Sequence, residues 1–221
     1  MFLKTKRTVQ RPQGLYRAVN AASILHRCNQ KQPKISLAYF IHKKGEKEME
    51  DLKKRFEKLM SSYEKGGKDK LIKYLEKRDF FTAPYTEDGE KGDLLLHTLC
   101  VYDAMTRLIR HELLKENMQK ITQTEIMTVG LFHAIGRVGY FKETENGFII
   151  EDQNPLGSCG EKAAIMLMQF IKLKSTELYA IRWQNEKEMR HYNVEYLQEK
   201  YPLIKLLQCG IREADLLLKM R

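Results

Sequence analysis

Apolar residues that recur every three or four positions predict that most of the chain after residue 48 is helical. A first amphipathic pattern runs from Met49 to Gly66-Gly67, and a second one covers residues 69–77. Pro84 then interrupts the pattern, because its ring removes a backbone donor and disfavours helix at the preceding residue. The remaining predicted helices cover residues 94–115, 125–135 with Thr124 as the N-cap, 160–172, 175–185 and 202–219.

One segment between these helices has the pattern of a strand pair. Short apolar runs at residues 140–142 and 148–150 flank Glu145-Asn146-Gly147. Asn-Gly between apolar runs is typical of a β-hairpin, since both residues tolerate the positive φ that tight turns require. The periodicity therefore predicts an all-α fold, a helical bundle with one short β-hairpin.

The positive charge of the chain is concentrated at its amino terminus. The 221 residues, long enough to bury a core, carry a net charge of +10. Residues 1–48 contain eleven Lys or Arg and two Glu, whereas residues 49–221 contain 28 basic and 27 acidic residues. This division predicts a basic amino-terminal extension, residues 1–48, followed by one nearly neutral helical domain, residues 49–221.

Three interpretations of the extension stay open. As a basic arm it would bind the phosphate backbone of a nucleic acid, and nucleic acid is expected as a partner only if residues 1–48 are native. An acid-poor, Arg-containing amino terminus also fits an organellar targeting segment. Alternatively, one codon choice for residues 44–48 gives a purine run like a bacterial ribosome-binding site, which predicts that the natural start is Met49.

The cysteines and the hydropathy pattern exclude several classes of protein. The four cysteines lie far apart with no Cys-x-x-Cys pair, which argues against a zinc knuckle or a disulfide framework. No apolar run approaches the roughly 18 residues that are needed to cross a membrane. We therefore expect a cytoplasmic protein without a membrane partner.

Three ionisable residues on three predicted helices are candidates for a shared site. His97 and His133 lie in apolar stretches, and Asp215 lies between Ala214 and Leu216 on the last helix. Taken singly, each histidine is more typical of a hydrogen-bonded core residue, and a buried carboxylate needs a partner. Imidazole and carboxylate groups from neighbouring helices are nevertheless a common way to hold a divalent metal in a bundle.

Residues 131–141 (LFHAIGRVGYF) resemble the signature of the HD superfamily of metal-dependent phosphohydrolases, in which a His-Asp pair at the end of a helix binds metal. Four further blocks look like those of a bacterial and phage group of small HD-domain proteins: DFFTAP (79–84), LLLHTLCVY (94–102), EDQNPLGSCGEK (151–162) and AIRW (180–183). The order of the blocks extends the resemblance over residues 49–215. It implies an HD-domain helical bundle with a short hairpin after the His-Asp motif.

The resemblance implies that His97, His133 and Asp215 are metal ligands, for a divalent Mn, Fe, Ni, Zn or Mg ion. The third ligand of the family pattern is missing, because Ala134 stands where the family has the Asp of the His-Asp pair. A methyl group neither binds a metal nor activates a metal-bound water. The catalytic residues are therefore unassigned.

Two further histidines of the family pattern are absent. Ser158-Cys159 occupies the place of the His before Gly-Glu-Lys, and Gln184 takes that of the His after Ile-Arg-Trp. Losing even a partner that supports a metal ligand typically costs about 10- to 100-fold in affinity or activity, and losing a ligand costs more. The resemblance thus implies a degenerate site with impaired or lost catalysis.

The resemblance also implies a phosphate-binding cleft with three cations. Arg137 takes the place of the family Lys after the His-Asp run, Lys162 belongs to the Gly-Glu-Lys block, and Arg182 belongs to Ile-Arg-Trp. Such cations hold phosphate oxygens, Arg as a planar fork and Lys as a point charge. Taken singly, Lys162 and Arg182 are more typical of structural ion pairs with acids such as Glu161 or Glu177.

Two functions follow as hypotheses. One is an HD-type phosphohydrolase-like protein that acts on a nucleotide or a phosphate ester with damaged metal chemistry. The other is a noncatalytic regulatory module on the same scaffold, which binds a nucleotide, a nucleic acid or a protein. The replaced residues at positions 134, 158–159 and 184 favour the second hypothesis. The substrate and the oligomeric state stay open, because a fold does not fix a function.

Overall fold

The computed structural model describes residues 46–110, 120–151, 157–189 and 191–220. Eight α-helices and one two-stranded antiparallel sheet form the regular structure of these ranges, together with short 3₁₀ turns at Ile135–Arg137 and Glu186–Met189. The helices are α1 (Glu46–Ser61), α2 (Lys68–Lys77), α3 (Asp93–Ile109), α4 (Gln123–Phe132), α5 (Cys159–Met168), α6 (Ser175–Arg182), α7 (Val194–Lys200) and α8 (Pro202–Lys219). The predicted all-α fold with one short β-hairpin is confirmed.

The first two helices follow their amphipathic pattern. Leu59 and Ile72 of the predicted apolar pattern are partly buried, and its other positions are buried: Leu52, Phe56, Met60, Leu71 and Leu75. Gly67 precedes α2 with a φ of 89°, and a Cβ there would lie 1.9 Å from the carbonyl oxygen of Phe170. Only glycine fits this close approach, which explains why the chain breaks between α1 and α2 at Gly66-Gly67.

α3 is the central helix of the bundle. Twelve of its 17 residues are buried, and it packs against both α4 and α8. A helix that is apolar on nearly all sides lies inside a protein, so the two polar residues His97 and Thr98 are carried into the core. α3 thereby positions the first residue of the candidate site. The structure describes the helix as far as Ile109, and most of the predicted continuation to residue 115 lies outside the described ranges.

The start of α4 corrects the predicted N-cap. The cap is Thr122 and not Thr124, because Thr122 Oγ1 accepts the backbone N–H of Glu125 at 3.3 Å. The Glu125 carboxylate in turn accepts the backbone N–H of Thr122 at 2.9 Å. This reciprocal capping box satisfies two donors that a helix start otherwise leaves unpaired, so α4 begins two residues earlier than predicted. It ends at Phe132, where the chain tightens into the 3₁₀ turn Ile135–Arg137.

The hairpin has the predicted position. β1 (Phe141–Thr144) pairs with β2 (Gly147–Ile150), with Phe141 opposite Ile150 and Thr144 opposite Gly147. The two-residue connection is therefore Glu145-Asn146, and Gly147, with a φ of 120°, begins the second strand. Phe141 is the one strand residue of the hairpin that is buried. It anchors the hairpin to the bundle.

The last part of the chain contains one helix that the pattern did not predict. α5 and α6 are shorter than predicted, and α8 has the predicted bounds. α7 has no fully buried residue, and of its apolar side chains only Val194 and Leu197 are partly buried, so its apolar period is weak. Its N-cap is Asn193, whose side chain accepts the backbone N–H of Tyr196 at 3.0 Å.

Several predictions concern residues outside the described ranges. Residues 1–45 are among them, so the three interpretations of the extension stay predictions. α1 begins at Glu46, three residues before Met49. None of the helices in the described ranges is long and apolar enough to span a membrane.

Candidate functional site

The three residues predicted as metal ligands lie in a row. His97 is on α3, His133 directly follows α4, and Asp215 is on α8. Both histidines are fully buried. The Nε2 atoms of the two histidines are 3.3 Å apart, and Nδ1 of His97 is 3.6 Å from Oδ1 of Asp215. The structure therefore brings all three side chains together, with His97 in the middle.

Hydrogen bonding assigns the protons of the neutral histidine pair. Nδ1 of His133 lies 3.0 Å from the carbonyl oxygen of Gly130, which only accepts, so this nitrogen carries the proton. Nε2 of His133 is then an acceptor, and Nε2 of His97 donates to it. A neutral imidazole carries one proton, so Nδ1 of His97 has none.

Burial keeps both imidazoles neutral at neutral pH. It lowers the pKa of His133 from 6.5 to about 4. Burial, the neighbouring His133 and the charge of Arg137 together hold the pKa of His97 well below its usual value. Burial raises the pKa of the Asp215 carboxyl, while the charges of Lys219 and Arg137 lower it.

His97 and Asp215 face each other with two hydrogen-bond acceptors. Nδ1 of His97 and Oδ1 of Asp215 are both buried, and neither has a hydrogen-bond partner. An unprotonated ring nitrogen and a carboxylate oxygen are both acceptors, so no hydrogen bond forms across the 3.6 Å between them. A buried polar atom without a partner costs free energy, and this contact therefore destabilises the folded state.

Replacing Asp215 with Asn is expected to stabilise the protein. The amide N–H₂ introduced by this substitution would donate to Nδ1 of His97, which adds about 1 kcal/mol to the free energy of unfolding. Urea unfolding at neutral pH measures the change. Glu213→Gln on the same helix is the matched control, because it weakens the ion pair of Glu213 with Arg107 and should not stabilise. A destabilised D215N variant would contradict the proton assignment.

Tyr85 is a part of the site that the sequence analysis missed. It follows Pro84 in the connection between α2 and α3, and its ring stacks on the imidazole of His97. The ring centroids are 3.6 Å apart, and the planes differ by 13°. The guanidinium carbon of Arg137 lies 4.4 Å from the centroid of the Tyr85 ring, a cation–π contact. No spacing or neighbouring residue distinguishes Tyr85 from the other tyrosines of the chain.

Ala134 and Gln184, which the resemblance places at positions of ligand-type residues, have structural contacts. Ala134 is buried, and its carbonyl oxygen accepts the backbone N–H of Arg137 at 2.9 Å. Nε2 of Gln184 donates to the carbonyl oxygen of His133 at 3.1 Å. Both residues therefore fix the backbone that carries His133 and Arg137.

Ser158-Cys159 also has a structural role. Ser158 is the N-cap of α5, since its hydroxyl accepts the backbone N–H of Glu161 at 3.0 Å. A Cβ on Gly136 would lie 2.4 Å from the carbonyl oxygen of Cys159, so the 3₁₀ turn packs directly against the start of α5. Burial raises the pKa of the Cys159 thiol, which keeps it protonated and a poor metal ligand at neutral pH.

The three cations of the predicted phosphate cleft differ in their surroundings. Arg182 Nη2 donates to Oε1 of Glu161 at 2.7 Å, the structural ion pair that was the alternative for this residue. Lys162 lies in the first turn of α5, and its charge and that of Arg137 both act on the Cys159 thiol. Within the described part of the chain, Arg137 forms no ion pair with a carboxylate.

The arrangement does not fit a metal centre with three ligands. His97 turns Nε2 toward His133 and Nδ1 toward Asp215, and the lone-pair directions of these two ring nitrogens diverge. One ion therefore cannot contact all three side chains. In residues 46–110, 120–151, 157–189 and 191–220, no group of three His, Cys, Asp or Glu side chains could hold a metal ion. The metal stays an implication of the resemblance.

The fold and the site define this chain as an all-α bundle with a buried, neutral histidine pair at its centre. A scan against protein-family models, a search of curated proteins and a search of solved structures each found no match. The HD resemblance therefore rests on the sequence blocks alone.

Proposed function

We propose that this chain is an HD-like helical module that has lost metal-dependent phosphohydrolysis and binds a phosphate-bearing small molecule such as a nucleotide. The observation that carries the proposal is the direct contact between His97 and His133, beside an alanine at position 134. Hydrolysis of the HD type needs a metal-bound water with a lowered pKa. Here the two imidazoles bind each other and are shielded from water.

Arg137 supports the binding part of the proposal. Its guanidinium is half-buried and lies over the Tyr85 ring, and it forms no ion pair with a carboxylate in the described residues. Its charge acts on the Asp215 carboxylate without a direct ion pair, and a phosphate group would accept two N–H bonds from the guanidinium fork. Arg182 is less available, because Glu161 already pairs with it.

The test combines a search for turnover with a binding measurement. p-Nitrophenyl phosphate and a set of nucleotides are incubated with the protein and Mn²⁺, Fe²⁺, Ni²⁺ or Zn²⁺, and no metal-dependent hydrolysis is expected. Thermal unfolding is then recorded with inorganic phosphate and with each nucleotide. A ligand at about 100 times its Kd adds about 2.7 kcal/mol, a clear rise in Tm for the wild type that Arg137→Met should abolish.

Arg212→Met is the matched control for the binding measurement. Arg212 is an exposed arginine of α8 that already pairs with Glu186, so its loss should leave the ligand-induced rise in Tm unchanged. Metal-dependent turnover by the wild type would contradict the loss of catalysis. A rise in Tm that survives Arg137→Met would contradict the binding role of Arg137.

A further inference from the structure

Tyr85 and Arg137 lie beside the histidine pair, and both come from segments outside α3 and α4. Tyr85 comes from the α2–α3 connection, and Arg137 comes from the 3₁₀ turn after α4. The Tyr85 ring covers His97 at 3.6 Å, and the Arg137 guanidinium lies 4.4 Å from the same ring. Burial raises the pKa of Asp215, whereas the Arg137 charge and the Tyr85 hydroxyl lower it, so both groups lie beside this carboxylate as well.

From this geometry we infer that Tyr85 and Arg137 together replace the metal of an HD-type site and exclude a divalent ion, so that the missing Asp at position 134 is not the only obstacle to metal binding. The inference rests on the proposed loss of metal chemistry and names the side chains that enforce it. In this inference, the guanidinium of Arg137 supplies the positive charge that a metal ion would supply beside the histidine pair.

The charge of Arg137 lies close to the histidine pair. The guanidinium carbon is 4.4 Å from the centroid of the Tyr85 ring, which itself stacks on His97 at 3.6 Å. The Coulomb repulsion from this charge is about twice as strong for a divalent ion as for a monovalent ion at the same place. The aromatic ring of Tyr85 holds the guanidinium near the imidazoles by a cation–π contact. A flexible Lys at this position, as in the family pattern, would lack the planar group that stacks on the ring.

His97 is restrained on three sides. Tyr85 stacks on its imidazole plane, while His133 and Asp215 face its two ring nitrogens. In that orientation Nε2 faces His133 and Nδ1 faces Asp215, so the two ring nitrogens of His97 do not point at one metal position. An aspartate at position 134 would add one oxygen ligand, but it would not turn His97. Removing the Tyr85 ring would free both His97 and Arg137.

Metal binding by four proteins tests the inference. The proteins are the wild type, Ala134→Asp, Ala134→Asp with Tyr85→Leu, and Ala134→Asp with Arg137→Met. Each is titrated with Mn²⁺, Ni²⁺ and Zn²⁺ in a calorimeter and assayed by elemental analysis after dialysis. We expect no stoichiometric metal in the wild type or in A134D. We expect both double variants to bind one equivalent at least about tenfold more tightly than A134D, the scale of effects that neighbours of metal ligands have.

Three results would overturn the inference. Stoichiometric metal in the wild type is one, and metal binding by A134D as tight as that of the double variants is another. The third is a pair of double variants that are folded by circular dichroism and bind no metal. If a double variant fails to fold, the comparison of A134D with the wild type decides, with the metal-induced rise in Tm as the readout. Metal binding by A134D contradicts this inference alone, whereas turnover by the wild type contradicts the proposed function.

Discussion

Replacing Lys65 with Met is expected to lower the free energy of unfolding by about 3 to 5 kcal/mol at neutral pH. Lys65 lies between α1 and α2, and its Nζ pairs with Oε2 of Glu177 in the first turn of α6. The Glu177 side chain is fully buried, and that of Lys65 is 12% exposed. Without the ammonium, a carboxylate would stay in the core without its counter-charge, which is far more costly than losing an exposed ion pair.

The size of the expected loss follows from the few partners that Glu177 has. Oε2 also accepts the backbone N–H of Lys174 at 2.7 Å, while Oε1 is buried and has no hydrogen-bond partner. Nζ of Lys65 donates in addition to the carbonyl oxygen of Lys172 at 2.9 Å. The ammonium therefore joins the α1–α2 connection to the α5–α6 connection, and its removal loosens both.

Urea unfolding of a double variant separates the charge from the packing. Lys65→Met combined with Glu177→Gln removes both charges but keeps a side-chain oxygen for the Lys174 N–H, so most of the lost stability should return. Lys54→Met is the matched control, because the Lys54–Glu50 ion pair is exposed and its loss should not be measurable. A double variant as unstable as Lys65→Met would show that the ammonium does not act through Glu177.

The ion pair of Lys65 and Glu177 illustrates what the sequence could not predict. The two residues are 112 positions apart, and no local pattern links them. Glu161 and Glu177 were both predicted partners of Arg182 and Lys162. Arg182 pairs with Glu161. Helix bounds are easier to predict from the sequence, because burial of one helix face makes apolar residues recur at a regular spacing within a single segment. α8 shows this with its predicted bounds, whereas α7 has no fully buried residue and was missed.

For the candidate site, the sequence predicted which residues come together but not how they contact each other. Residue type and helix position selected His97, His133 and Asp215, and the structure brings them together. Their hydrogen bonds were not predictable, because the tautomer of His133 depends on a carbonyl group of its own helix that is 3.0 Å away. Tyr85 was missed for the same reason, since only the path of the α2–α3 connection places its ring on His97.

Acidification from about pH 7.5 to about pH 5 is expected to lower the free energy of unfolding by about 2 kcal/mol. Burial lowers the pKa of His133 from 6.5 to about 4, and it holds that of His97 well below 6.5. Groups whose pKa is lowered by folding stabilise the protein above their unfolded pKa. This contribution is lost as the pH falls from 6.5 toward 4, because the two imidazoles bind protons in the unfolded chain but stay unprotonated in the folded core. His133 accounts for about 2 kcal/mol by pH 5, and His97 adds to it.

Two variants identify the groups responsible. Urea unfolding between about pH 7.5 and about pH 5 should show a flatter profile for His133→Gln, since one of the two buried imidazoles no longer takes up a proton on unfolding. His191→Gln should keep the wild-type profile, because His191 is exposed in the folded protein. Asp215 acts in the opposite direction, because burial raises its pKa, and the protein gains stability when this carboxyl is protonated. A His133→Gln profile as steep as that of the wild type would mean that His133 is not a source of the lost stability.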